Sequence, residues 1–169
     1  KTVGGLIASW NFFGYLCGSL LSILPFFKKK VKLVFFISII ISLMTTLLMS
    51  FHDNITFFIV VRFLSGLSSA FVLIFGTSLI LPSIQAFGKK SLSTAHFMGV
   101  GLGIVLSSIL VSVLGSLGFE WDELWIGVTI LSVILAIPIF VNTPDESIIS
   151  TTNINSNVKN NLGFTLITI

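Results

Sequence analysis

Residues 55–81 read ITFFIVVRFLSGLSSAFVLIFGTSLIL, a run in which Arg62 is the single charge. As a helix rising 1.5 Å per residue, the run is about 40 Å long, enough to cross a hydrocarbon core of ~30 Å. Its apolar residues are continuous rather than alternating, which argues against a membrane β-strand. Four more stretches, 2–27, 33–52, 91–119 and 124–144, hold no Asp, Glu, Lys or Arg at all. The pattern predicts an all-α polytopic membrane bundle with five spans at about 3–26, 33–51, 55–81, 95–118 and 124–141.

Composition agrees with this reading. Charged residues make up 9% of 169, against the roughly one quarter usual for a soluble domain, while 54% are hydrophobic and 17 are Phe. A soluble fold has too little charge here for its surface, and a disordered chain would lack the large apolar residues. Cys17 is alone, so neither a disulfide framework nor a cysteine metal site is available, and no cofactor or metal is expected.

The charges that remain sort by position. Lys28, Lys29, Lys30 and Lys32 lie between the first two predicted spans, and Lys89 and Lys90 between the third and fourth. The other two connections hold His52 and Asp53, then Glu120, Asp122 and Glu123, without Lys or Arg. The positive-inside rule puts the lysine loops 28–32 and 89–90 and the tail in the cytoplasm, with Trp121 and Trp125 at the opposite boundary. A net charge of +3 would point to nucleic acid in a soluble protein. Here topology accounts for the lysines better than a nucleic-acid or acidic-lipid site, and no nucleic-acid partner is expected.

The same orientation places residue 1 outside, and the chain starts with Lys1 rather than Met. A helix preceding it is the economical expectation, completing six spans within residues up to 142. From 143 to 161, eleven of nineteen residues are Asn, Ser or Thr, the composition of a polar cytoplasmic linker. Residues 162–169, LGFTLITI, are too short to span and are expected to begin a further helix.

An offset of 85 aligns Asn11-Phe12-Phe13-Gly14-Tyr15-Leu16-Cys17-Gly18 with His96-Phe97-Met98-Gly99-Val100-Gly101-Leu102-Gly103. These two spans run in opposite directions, as an inverted repeat of three helices would make them. Asn11, Gly14 and Gly18 share one helix stripe, as do His96, Gly99 and Gly103; Arg62, Gly66 and Ala70 follow the same spacing. Small residues four apart let helices approach closely, so Gly14, Gly18, Gly66, Ala70, Gly99 and Gly103 are the expected packing positions.

Arg62 lies seven residues into its span, about 11 Å deep. A cation at such depth is costly, and the chain otherwise uses only lysines, so a fixed guanidinium fork is expected to serve a polar cavity rather than snorkel toward Asp53. Asn11, Tyr15 and His96 are the further candidates for a substrate or proton pathway. For each of them a bland role stands alongside: interhelical glue for Asn11, filling for Tyr15, an interfacial position for His96. Pro25 and Pro82 are expected to close their helices, and Pro138 to kink the last one.

Arg62-Phe63-Leu64-Ser65-Gly66-Leu67-Ser68-Ser69-Ala70 resembles the fourth-helix motif of the major facilitator superfamily (MFS), an Arg followed four residues later by Gly and then by small residues. Gly18-Ser19-Leu20 with the basic loop 28–32 falls where that superfamily has its motif between helices two and three, although Ser22 replaces its Asp and Pro25 its Gly. The fifth-helix Gly-Pro signature of drug–proton antiporters is absent. The two glycine runs instead make residues 3–142 similar to helices two to six of twelve in the little-characterised bacterial YbfB/YjiJ-type subfamily. That resemblance implies a secondary transporter in the cell (inner) membrane, moving a small-molecule substrate by alternating access between this bundle and a C-terminal six-helix half. It also implies that the helix-four arginine, Arg62, takes part in substrate binding or proton coupling. No predicted span contains the Asp or Glu that proton coupling would call for.

Two other classes compete. A membrane enzyme, such as a lipid-modifying one, would need clustered His, Asp, Glu or Cys at a boundary, and the sequence offers none, so no catalytic residue is expected. A small non-catalytic membrane subunit, or a truncated gene product without function, would use the glycine faces equally well but fits an unpaired Arg62 less well.

Overall fold

The computed structural model describes residues 2–28, 30–51, 54–86 and 91–143. Their secondary structure is helical throughout: α1 (Thr2–Leu21), α2 (Pro25–Lys28), α3 (Val31–Leu48), α4 (Ile55–Ala86), α5 (Ser91–Ser116) and α6 (Trp121–Asn142). The spans of 18 to 28 residues in α3, α4, α5 and α6 are long and apolar enough to cross a membrane. α1 is 20 residues long, with Asn11 at its middle.

The helix ends follow local chemistry. α1 stops at Leu21 rather than continuing to 26, because Pro25 disfavours helical geometry in the residue before it and instead opens α2. Asn54 starts α4: its side-chain Oδ1 accepts from the Thr56 N–H at 2.9 Å and its carbonyl from Phe58 at 3.0 Å. Pro82 does not close its helix as expected; α4 runs through it to Ala86. One proline near a helix end removes a single backbone bond, a loss that apolar helices tolerate.

The α5–α6 connection is the most fully specified turn. Gly118 has φ of +87°, and the Phe119 N–H reaches back to the Leu114 carbonyl at 3.2 Å while Gly118 bonds Gly115 at 3.2 Å. This is the Schellman pattern that ends a helix on a left-handed glycine. Glu120 then caps α6, its N–H donating to the Glu123 carboxylate at 2.9 Å. The acidic trio expected in a loop therefore builds the start of α6, where Asp122 and Glu123 meet the positive end of the helix dipole.

α4 is the central element, with α1 and α3 along it; α6 leans on α3, and α5 makes lighter contact with α6 and α4. Phe35 and Ile39 of α3, Phe71, Phe75 and Leu79 of α4, and Ala136 of α6 form the core. Gly76 admits the Phe35 ring, since a Cβ there would sit 2.9 Å from it. Phe36 stacks on Phe140 with centroids 4.9 Å apart, tying α3 to α6. Buried hydroxyls satisfy themselves within their own helices: Ser38 donates to the Val34 carbonyl at 2.7 Å and Thr129 to Trp125 at 2.8 Å. Large apolar side chains cover much of the outside, as a lipid-facing surface requires.

Candidate functional site

Backbone contact between α1 and α4 creates the site. A Cβ on Gly66 would collide with the Asn11 carbonyl, one on Gly14 with the Phe63 carbonyl, and one on Gly18 with the Leu67 carbonyl at 2.7 Å and the Ala70 Cβ at 3.0 Å. Three glycines and one alanine thus remove the side-chain layer that ordinarily separates helices. The consequence is that Asn11 is drawn to the turn of α4 that follows Arg62.

Arg62 and Asn11 line one cavity of about 450 Å³, together with Phe58 of α4, Trp125 of α6, Met49 after α3, and Gly4, Ile7, Ala8 and Phe12 of α1. The Arg62 guanidinium lies over the Trp125 indole, its Cζ 4.6 Å from the ring centroid. This cation–π contact favours a cation that has lost water. The Arg62 Nε is buried without a hydrogen-bond partner. A guanidinium presents five donors, and the Nε–H is one left without an acceptor here. Apolar and aromatic walls with a few polar groups are the usual make-up of a small-molecule site.

The other sequence candidates lie elsewhere. Tyr15 is half-buried in the α1–α4 seam, where its backbone N would be 2.9 Å from a Cβ on Gly66, and it does not line the cavity. His96 of α5 places its Nε2 3.2 Å from the Thr77 hydroxyl of α4. That hydroxyl also donates to the Leu73 carbonyl at 2.7 Å. Thr77 follows Arg62 by fifteen residues, about 22 Å along the helix, so His96 clasps α5 to α4 far from the cavity. Gly99 and Gly103 were expected to pack, but nothing described lies within 4 Å of a Cβ on either. Asp53, Lys89, Lys90 and 144–169 lie outside the described residues.

The placement of two residues of α6 escaped the sequence reasoning. Trp125 has the composition signal of an interfacial belt, which hides its place beneath Arg62. Asp122, which the charge pattern assigns to a connection, lies in the first turn of α6, three residues before Trp125, with Oδ1 buried and unpartnered. A carboxylate therefore does occur within a helix of the bundle.

A half-buried arginine lining a cavity within an apolar helical bundle defines the class as a polytopic membrane protein with a candidate solute site. The chain belongs to the family described as uncharacterised MFS-type transporter YbfB, which matches residues 1–169. No curated protein and no solved structure matches it.

Proposed function

We propose that the chain is part of a twelve-helix secondary transporter that carries a small solute by alternating access, with Arg62 contacting the solute or the coupled proton. The observation that carries this is the Arg62 Nε, buried and unpartnered beside a cavity that Asn11 and Trp125 also line. An uncompensated cation within the bilayer is expensive, and a role in the transport pathway explains its retention. Asn11 adds a second polar group at the cavity wall, while Tyr15 and His96 act at helix seams. The protein is a transporter rather than an enzyme, and the proposed C-terminal six-helix half would complete the cavity from the other side.

On this reading α1 also crosses the membrane. Its backbone contact with α4 supports that, because a helix apposed to a spanning helix through glycines shares its depth. The protein resides in the cell (inner) membrane with the lysine loops cytoplasmic. The glycine face of α5, bare among the described residues, supports a further helix in the complete protein: α1 uses the matching glycines to meet α4, and the inverted repeat calls for an equivalent partner for α5. The same bare face would serve a small membrane subunit docked on a larger partner.

Transport by the protein from its complete reading frame tests the proposal. Arg62→Ala is expected to lower solute flux at least about tenfold, a loss of roughly 1.4 kcal/mol or more. Undiminished flux in that variant would defeat the role given to Arg62.

A further inference from the structure

A second cavity, of about 500 Å³, lies between α2, α3 and α4 at the lysine end of α3. Leu33, Ile37 and Ile41 recur every fourth residue along its rim, and all three are exposed. They mark a slot about 12 Å long running from the lysine loop toward the middle of α3. Phe71 and Leu67 of α4 form its far wall. The two hydroxyls in its lining are already used: Ser38 donates to Val34 at 2.7 Å and Ser68 to the Ser65 carbonyl at 3.0 Å. The slot thus offers hydrocarbon and no unused donor along its length. Its mouth differs, because exposed Lys30 lines it, with Lys28, Lys29 and Lys32 adjacent in sequence.

We propose that this slot is a binding site for one anionic phospholipid, its acyl chain lying against Leu33, Ile37 and Ile41 and its headgroup phosphate on Lys30. Charge complementarity selects the occupant: an apolar body with an anionic end matches a dry slot with a cationic mouth. A lysine cluster in a topology-setting loop would by itself need no ligand. The adjoining apolar slot converts it from a diffuse charge into a defined headgroup position.

Native mass spectrometry of the complete protein, released from non-ionic detergent, tests the site. Phosphatidylglycerol and phosphatidylcholine with identical acyl chains are offered in equal amounts. Bound phosphatidylglycerol is expected to exceed phosphatidylcholine about fivefold or more, the preference one surface lysine confers. Lys30→Gln should bring the ratio toward one while leaving lipid bound, and Ile37→Trp, which fills the slot from its exposed rim, should lower both lipids. Equal retention of the two lipids by the wild type overturns the proposal. So does a phosphatidylglycerol preference that survives both substitutions, which would mark lipid held elsewhere. Loss of a dimer mass in Ile37→Trp would overturn it in favour of a second copy of the chain.

Discussion

Arg62 combines two demands that seldom meet in one residue. It must stay charged inside an apolar helix, and it must keep donor groups unused. The indole of Trp125 satisfies the first without spending the second, because a π face attracts the cation yet accepts none of its in-plane N–H bonds. Trp125→Leu should therefore lower transport less than Arg62→Ala, by an amount corresponding to about 0.5–2 kcal/mol, whereas Trp125→Phe should fall between Leu and wild type. Flux assays on the three variants check the order. Arg62→Lys should not restore full function, since an ammonium lacks the planar fork. At Gly66 the constraint is spatial: Gly66→Ala pushes its methyl into the Asn11 carbonyl and should destabilise the bundle by about 1–3 kcal/mol. Thermal unfolding in detergent would show this as a lowered midpoint.

Among the elements, α4 gains its central place through its sequence of small residues. Gly66 and Ala70 admit α1 and Gly76 admits the Phe35 ring of α3, so close approaches are made on more than one face. The Schellman turn and the cap at Glu120 fix how α6 leaves α5, and so help place Trp125 beneath Arg62. Gly118→Ala forces a left-handed conformation on an L side chain and should cost about 1–2 kcal/mol. Glu123→Ala removes the acceptor for the Glu120 N–H and should cost about 0.5–2 kcal/mol. If the turn positions the site, both variants should also reduce flux; unchanged flux at reduced stability would separate the turn from the cavity.

At the scale of the whole molecule, the two glycine runs have different fates. Gly14 and Gly18 of α1 are sealed against α4, while Gly99 and Gly103 of α5 face open space among the described residues. The proposed further helix makes a clear prediction. In the complete protein both Gly99→Leu and Gly14→Leu should lower thermal stability, whereas a lipid-facing glycine would accept leucine without loss. Sidedness is equally open to measurement. With Cys17→Ser as background, a cysteine at position 30 should react with a membrane-impermeant thiol reagent only from the cytoplasmic side, and one at 119 only from outside.

Membrane residence and the all-α class were legible in the sequence, because both depend on where charges interrupt an apolar chain; against five predicted spans, four of the six helices among the described residues are long and apolar enough to cross. The Arg62–Gly66–Ala70 spacing likewise announced a close-packing face, since four-residue spacing is a property of the isolated helix. Sequence could not show that α1 meets that face. It could not assign Trp125 to Arg62, remove His96 from the cavity, or reveal the slot beside Lys30. These depend on contacts between residues far apart in the chain, and every candidate helix here is apolar enough to pack against several others. Backbone-level fit at a few glycines chose among those packings, and only the tertiary structure displays that choice.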